Sequence, residues 1–271
     1  MTLDGAGRVR GSKDYFSSHL EDMAPHRAIL RAVESRFMGQ VPLVRPVLDV
    51  GAGDGHFASI AYDEAIDVGI DPMARDLLEA AARRPRPYRS LVFASATAMP
   101  FRDETFNTVV SNSSIEHIPD LTATLREIGR VLRPEGSFVA TFPSEHFPTL
   151  LLGSTLLRRR GFHAAARAYG RFFNRISHHY HVYPPEVWRE RLRAAGLRLV
   201  EHFYYFSPEA HRAFDLSHYL GVPNLLAKRL LGRWVLHPLQ MVPFEHWLRR
   251  YYDEPLPDRG AYHFVRCTKT R

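Results

Sequence analysis

The sequence predicts an α/β fold built on a doubly wound, mostly parallel sheet, and three observations point to it. The first is "VLDVGAGDGHF", residues 47–57, where three glycines within five positions follow a short apolar run. That run is bounded by Pro46 and Gly51 and reads as a buried strand, with a helix opening behind the glycines at Phe57, Ala58, Ile60 and Ala61. The second is "VGID", 68–71, another short apolar strand, which ends in a carboxylate 20 residues past Gly51. An acid at that distance is where such folds grip ribose hydroxyls. The third is the continued alternation of strand-like and helix-like segments, which calls for a sheet covered on both faces with ligands at the carboxyl ends of the strands.

Taken in order, residues 14–38 place Leu20, Met23, Ile29, Leu30, Val33 and Phe37 among charges and read as one or two helices. Parallel strands are expected at 47–50, 67–70, 91–94, 107–111 and 137–142, with helices near 55–63, 74–82 and 121–131. "RPEGS", 133–137, reads as a turn from its Pro and Gly. Pro184 and Pro185 open a further helix that closes at Gly196, and a strand follows over 197–205. "GAYHFVRCTK", 260–269, alternates as a last, antiparallel strand and brings the sheet to seven. Its hairpin would need only a turn, so 206–259 is an insertion with its own structure.

The glycine spacing is G-x-G-x-G rather than the G-x-G-x-x-G of a dinucleotide site. In an ordered series over residues 45–145, the motifs resemble the class I S-adenosylmethionine-dependent methyltransferases, in particular the methyltransferase type 11 group. "LDVGAGDG" resembles the first motif, "GIDPMARDLLEAA" the second, "FASATAMPFRDETFNTVVSNSSIEHIPD" the adenine-edge segment with the fourth strand, and "LREIGRVLRPEGSFVATFP" the helix, turn and fifth strand after it. The resemblance implies a Rossmann-like sheet and S-adenosylmethionine as cofactor. It places Asp49, Gly51, Ala52, Gly53 and Gly55 at the methionine end, Asp71 on the ribose, and Pro72 and Met73 near the adenine. Ser95, Ala96 and Thr97 fall at the adenine edge, and Asn112 and Ser113 at the end of the fourth strand. Two positions depart from the family pattern: Ser95 replaces an acid, and Asn107 replaces the aspartate of "FD". A serine hydroxyl accepts more weakly than a carboxylate.

This reading divides the chain into N-terminal helices over the cofactor site (1–44), a cofactor core (45–145), a substrate-cap segment with the sixth strand (146–205), a helical insertion (206–259) and the last strand (260–271). Residues 1–150 carry a net charge of −4 and residues 151–271 one of +11, so the two halves meet different partners. The single cysteine, Cys267, excludes an intramolecular disulfide, and no leader or long apolar span is expected. A cytoplasmic enzyme follows from this. In the insertion, Leu226, Ala227, Leu230, Leu231, Trp234 and Val235 share one helical face, with Lys228, Arg229, Gly232 and Arg233 on the other. Met241, Val242, Phe244, Trp247 and Leu248 follow, beside Arg249 and Arg250. Core packing beneath a lid is the preferred account of this stripe, and peripheral contact with a membrane through 206–259 is the alternative. Residues 149–175 have a similar apolar and basic texture, and the two segments together suit a hydrophobic acceptor.

Candidates for a general base are His117 in "SIEHIP", His146 in "PSEHF", and His179 and His181 in "SHHYHVY". His179 and His181 share a side only in an extended segment, and no Cys, Asp or Glu constellation in the sequence completes a metal site, so no metal is expected. The expected activity is methyl transfer to oxygen, nitrogen or carbon of a small, apolar or lipid-linked acceptor. Methylation of nucleic acid is an alternative suggested by a calculated pI near 9.7, but "FPSEHF" stands where an Asn/Asp-Pro-Pro-Tyr motif would occur. A nicotinamide-dependent oxidoreductase or epimerase is disfavoured by the glycine spacing and by the lack of a Tyr-x-x-x-Lys pair. A non-catalytic cofactor-binding homologue is the last alternative, on the strength of Ser95 and Asn107.

Overall fold

A computed structural model describes residues 13–220, 230 and 241–270. The chain divides into two compact units, one of Val41–Glu145, Ser177–Phe203 and Tyr262–Arg271, the other of Met1–Gln40, His146–Ile176 and Tyr204–Ala261. In chain order the strands are β1 (Val47–Val50), β2 (Ile66–Asp71), β3 (Tyr88–Phe93), β4 (Phe106–Asn112), β5 (Leu132–Pro143), β6 (Leu197–Tyr205) and β7 (Tyr262–Lys269). The described α-helices are α1 (Tyr15–Leu20), α2 (Pro25–Met38), α3 (His56–Ala61), α4 (Ala74–Ala82), α5 (Leu121–Val131), α6 (Phe147–Leu150), α7 (Leu152–Arg159), α8 (His163–Ile176), α9 (Pro185–Ala194), α10 (Pro208–Leu220) and α11 (Val242–Tyr252).

The seven strands form one sheet in the order β3-β2-β1-β4-β5-β7-β6. β1 pairs parallel with β2 and β4, β2 with β3, and β4 with β5, while β7 runs antiparallel to β5. The strand order reverses between β1 and β4, which is the switch point where folds of this class bind ligands. β1 is buried at every position, as a central strand covered on both faces must be. Asp49 is the one charge it carries.

In the sheet unit, α5 opens on Asp120, whose carboxylate accepts the Ala123 amide at 2.9 Å. α9 has Pro185 at its first position and ends before Gly196, which takes φ +75°. Trp188 of α9 is buried and stacked on Phe142 of β5 with ring centroids 3.9 Å apart. Leu48, Val109, Ile128, Phe138 and Leu192 fill the same core. The helices close tightly at one point: a Cβ on Gly129 would lie 2.3 Å from the Ala195 carbonyl oxygen.

The helical unit is organised on α2, whose residues Ala28 to Phe37 include both apolar and charged side chains that are buried. Glu34 accepts from the Tyr205 hydroxyl at 2.9 Å and from Arg31 at 2.6 Å. The Arg36 guanidinium lies over the Tyr252 ring at 5.1 Å, so its charge is met by an aromatic face. Between α7, α8 and α10, Asp215 accepts the Gly153 amide at 3.1 Å and the Tyr169 hydroxyl at 2.9 Å.

Some elements differ from the sequence expectation. Residues 14–38 form two helices because Pro25 starts a new one after the turn at 21–24. β3 begins at Tyr88, three residues before the expected strand. "RPEGS" does not stand apart from the fifth strand: Phe106 pairs with Leu132, the register then shifts, and pairing resumes at Thr108 and Ser137. The extra residues bulge from a continuous β5, with Glu135 at φ +64°. The amphipathic helix expected over Leu226–Val235 lies outside the described residues, apart from Leu230, which is exposed. In α11, Leu248 packs inward and Val242 faces solvent.

Gly129 supplies a test of this packing. On an open helix Gly→Ala stabilises by about 1 kcal/mol. Gly129→Ala should reverse that sign and destabilise by about 1–3 kcal/mol, because its methyl meets a backbone oxygen. Denaturant unfolding monitored by circular dichroism checks it, and a gain in stability would contradict the close approach.

Candidate functional site

At the carboxyl edge of β1 the chain takes three positive φ values in five residues, +86° at Gly51, +52° at Gly53 and +71° at Gly55. The three glycines have separate reasons. A Cβ on Gly51 would lie 2.4 Å from Ser114 Oγ, so the loop after β4 abuts the glycine turn. A Cβ on Gly55 would press on Pro87 and Ala80 at 3.0–3.1 Å, so this glycine lets α3 begin close to α4. Gly53 has nothing within 4 Å of its Cβ position. It is the one that presents bare backbone to open space, as a ligand cradle requires.

Asp71, at the end of β2, holds this turn. Its Oδ2 accepts the Gly53 amide at 2.9 Å and its Oδ1 accepts the Met73 amide at 2.8 Å. Each oxygen keeps a second acceptor direction, enough for ribose hydroxyls. Asp49 is fully enclosed and accepts the Tyr88 hydroxyl at 2.6 Å. Burial pushes its pKa up to about 6, with Asp71 adding to the rise and the Tyr88 hydrogen bond opposing it. Tyr88, which no motif singled out, is therefore part of the cradle's support. Arg83 clamps the far side of the turn through the Asp54 carbonyl at 2.6 Å and carboxylate at 3.1 Å.

Ser95 and Thr97 bond to each other, hydroxyl to hydroxyl at 2.8 Å, and the Thr97 amide donates to Ser95 Oγ at 3.2 Å. Ser95 is exposed and Thr97 half-buried, Ala96 between them is buried, and Pro72 and Met73 are exposed beyond β2. Ser95 thus forms the turn that follows β3. Below them, Glu127 accepts the Met99 amide at 2.7 Å and is itself held by Arg130, fixing the segment after β3. Asn112 accepts from the Thr141 hydroxyl at 2.8 Å, and the Ser113 amide donates to Thr141 O at 3.0 Å, with Ser113 at φ +44°. Asn107 sits at the other end of β4, where its amide donates to the Arg45 carbonyl. A carboxylate could not make that bond, so this departure from the family pattern has a structural cause away from the ligand edge.

The four candidate histidines separate. His181 is buried, with Nε2 donating to the Ile118 carbonyl at 2.8 Å and Nδ1 facing the Tyr183 hydroxyl at 3.3 Å. Burial lowers its pKa, and its work here is to tie the segment before α9 to the loop after β4. His146 belongs to the helical unit, its ring 5.4 Å from Tyr204. His117, in the turn that follows Ser114, and His179, in the segment before α9, come together with ring centroids 5.4 Å apart. Burial, aided by the nearby His117 and His178, drops the His179 pKa to about 3. One ligand atom each from Glu116, His117 and His179 lie within 4.8 Å of one another. Glu116 thus stands beside two histidines, where the sequence shows no carboxylate near His179, because His117 and His179, 62 positions apart, meet here. Local spacing could not reveal it. The groove of about 430 Å³ lined by Leu125, Arg126, Val187 and Arg191 among others lies between α5 and α9, with no residue from the strand ends.

Residues 20–202 match a family described as a methyltransferase domain. An uncharacterized methyltransferase of Mycolicibacterium gilvum is 37% identical over 97 residues, covering 35% of this chain and 38% of that one. A demethylmenaquinone methyltransferase of Symbiobacterium thermophilum is 32% identical over 111 residues, covering 37% and 43%. The match spans about two-fifths of the length of these curated relatives. A methyltransferase structure from Thermotoga maritima, titled a possible histamine N-methyltransferase, aligns at TM-score 0.54 with 18% identity over 91% of both chains. A phosphoethanolamine N-methyltransferase of Haemonchus contortus, solved with S-adenosyl-L-methionine, aligns at 0.54 with 18% identity over 91% of this chain and 52% of that one; both likenesses are of fold. With the glycine turn, the acid at the end of β2 and the seven-stranded sheet, the family match places this chain among the class I S-adenosylmethionine-dependent methyltransferases.

Proposed function

We propose that the chain methylates a small acceptor with apolar or lipid-like surface, using the β1–β2 edge as its cofactor cradle. The observation that carries the acceptor class is on the helical unit. There Phe162, Phe172 and Ile176 are 59%, 53% and 44% exposed, interleaved with exposed Arg158, Arg159, Arg160, Arg171 and Arg175. Apolar side chains among cations suit a greasy molecule with a polar or anionic head, or a lipid surface that delivers one. The relative named for demethylmenaquinone supports the same class. Peripheral membrane contact through 206–259 belongs to this proposal, with Leu216, Tyr219, Leu220, Leu230 and Val242 as exposed apolar residues among those described.

Bound S-adenosylmethionine supplies a methyl group on a sulfonium, a leaving group that is already activated. The protein's part is to hold donor and acceptor in line and to exclude water. Gly53 gives the backbone its close approach, Asp71 takes the ribose hydroxyls, and Asp49 faces the cationic methionine end through the turn. Pro72, Met73 and the 95–97 turn flank the adenine, and Asn112 and Ser113 form the rim at β4.

Asp71→Ala should weaken cofactor binding by about 1.5–3 kcal/mol, the scale of hydrogen bonds to a charged group. Asp71→Asn should also lose affinity, because one end of its amide would turn a donor toward the Gly53 or Met73 amide. Calorimetry with S-adenosylmethionine measures both, and unchanged affinity removes Asp71 from the role.

Asp49 gives a pH dependence. Its folded pKa of about 6 lies above the ordinary value of 3.8, so the carboxyl is protonated below pH 6, and a cationic ligand must displace that proton. Affinity for S-adenosylmethionine should be flat above that pH and fall by about tenfold per unit below it. Asp49→Asn should bind more weakly and show no such slope. A flat profile in the native protein would separate Asp49 from the cationic end.

For the acceptor, transfer of labelled methyl groups should favour lipophilic phenols, quinols and amines over their polar counterparts and rise with anionic vesicles. Phe172→Asp should reduce that rise. Equal transfer to polar acceptors, with no effect of vesicles, would overturn the acceptor class and leave the cofactor site intact.

A further inference from the structure

We propose that Glu116, His117 and His179 form a binding site for one divalent transition-metal ion of the zinc class. Two segments distant in sequence build it. The single turn Ile115–His117 follows β4, and residues 178–180 precede α9. Backbone hydrogen bonding clamps them together, since the Tyr180 amide donates to the Glu116 carbonyl at 2.9 Å. The ring of His117 adds a second link, Nδ1 to the His178 carbonyl at 3.2 Å.

That second link decides the chemistry of the ring. A carbonyl only accepts, so Nδ1 carries a proton and Nε2 is the ring atom turned the other way. Nε2 faces Glu116 Oε1 at 3.7 Å. A histidine whose outer nitrogen donates to a carbonyl, with the inner nitrogen turned toward a carboxylate, is the orientation metal ligation requires.

The spacing agrees with this. Bonds of about 2.0–2.1 Å in a tetrahedral site put neighbouring ligand atoms roughly 3.4 Å apart. The Glu116–His117 pair is already at 3.7 Å, and all three ligand atoms fall within 4.8 Å, a closure that side-chain rotation covers. Two imidazoles and one carboxylate select zinc, cobalt, iron or nickel over magnesium, which prefers oxygen ligands. Glu116 is 1% exposed and His117 40%, so one side of the site is dry and the other is open to an entering ion and to an exogenous ligand. Ser114, three residues before His117, lies against Gly51, so the site belongs to the same strand edge as the cradle.

The test uses tag-free, full-length protein stripped with a chelator and titrated with Co²⁺, followed by visible absorption, and with Zn²⁺, followed by calorimetry. One equivalent per chain with the intense visible bands of a four- or five-coordinate ion is expected. His179→Ala and Glu116→Gln should each weaken binding by on the order of 100-fold, and His146→Ala, in the other unit, should leave it unchanged. Retained S-adenosylhomocysteine binding shows that a variant is folded. No bound metal in the native protein, a purely hexa-aqua-like Co²⁺ spectrum, or equal affinity in folded His179→Ala would overturn the proposal. In the first case, an NMR titration that finds His117 doubly protonated at neutral pH would assign the cation to a proton.

Discussion

The glycine turn has the shape it does because one carboxylate holds it from below. Asp71 accepts one amide from the turn and one from the start of the next helix, and so sets the distance between the ends of β1 and β2. Three φ-positive glycines at alternate positions have more conformational freedom than any other stretch of this sheet edge. Without an acceptor placed inside the turn they would not settle on one arrangement. The acid is read as a ribose ligand from its spacing alone, yet its geometry makes it a structural member of the loop that it serves. In the proposed ribose-binding role Asp71 is preorganised, since the bonds that build the turn also fix the orientation of its carboxylate oxygens.

The other constraint is closeness. Ser114 occupies the space a side chain at Gly51 would need, and Tyr88 and Ala52 do the same at Gly69, where a Cβ would lie 2.9 Å from both. Tyr88 can reach Asp49 because β2 offers no side chain at Gly69 to block it. A buried carboxylate without that hydroxyl would carry a larger desolvation cost. The cradle is therefore a product of omitted side chains as much as of the charged groups retained.

Much of this was legible in the sequence where the signal is local. β1, α4, α5 and β6 fall on their expected bounds because each is a run of one period closed by Pro, Gly or Asp: Asp120 before α5, Gly196 after α9, Gly51 after β1. The bulged start of β5 was not legible, because "RPEG" carries turn residues that serve equally well as a bulge inside a strand, and only pairing with β4 decides between them. Asn107 misled in the other direction. Its departure from the family pattern suggested a compromised site, whereas its amide bonds the Arg45 carbonyl at the opposite end of the strand.

The candidate site was legible in its cofactor half for the same reason and illegible in its other half. The groups proposed to surround the cofactor come from strand ends that recur at fixed spacing, so a single reading of the chain finds them. Glu116 and His179 are brought together by one backbone bond and one His117 side-chain bond between a strand-end turn and a segment leading into a helix, and nothing in either stretch specifies the other. The run "SHHYHVY" drew attention to itself as a cluster, but its histidines divide on folding. His181 turns to a backbone carbonyl and is consumed in holding the segment, and that bond is part of what allows His179, two residues earlier, to face His117. A histidine cluster in sequence is thus a poor guide to a histidine cluster in space. The useful unit is one histidine that anchors the chain and one that the anchored chain presents.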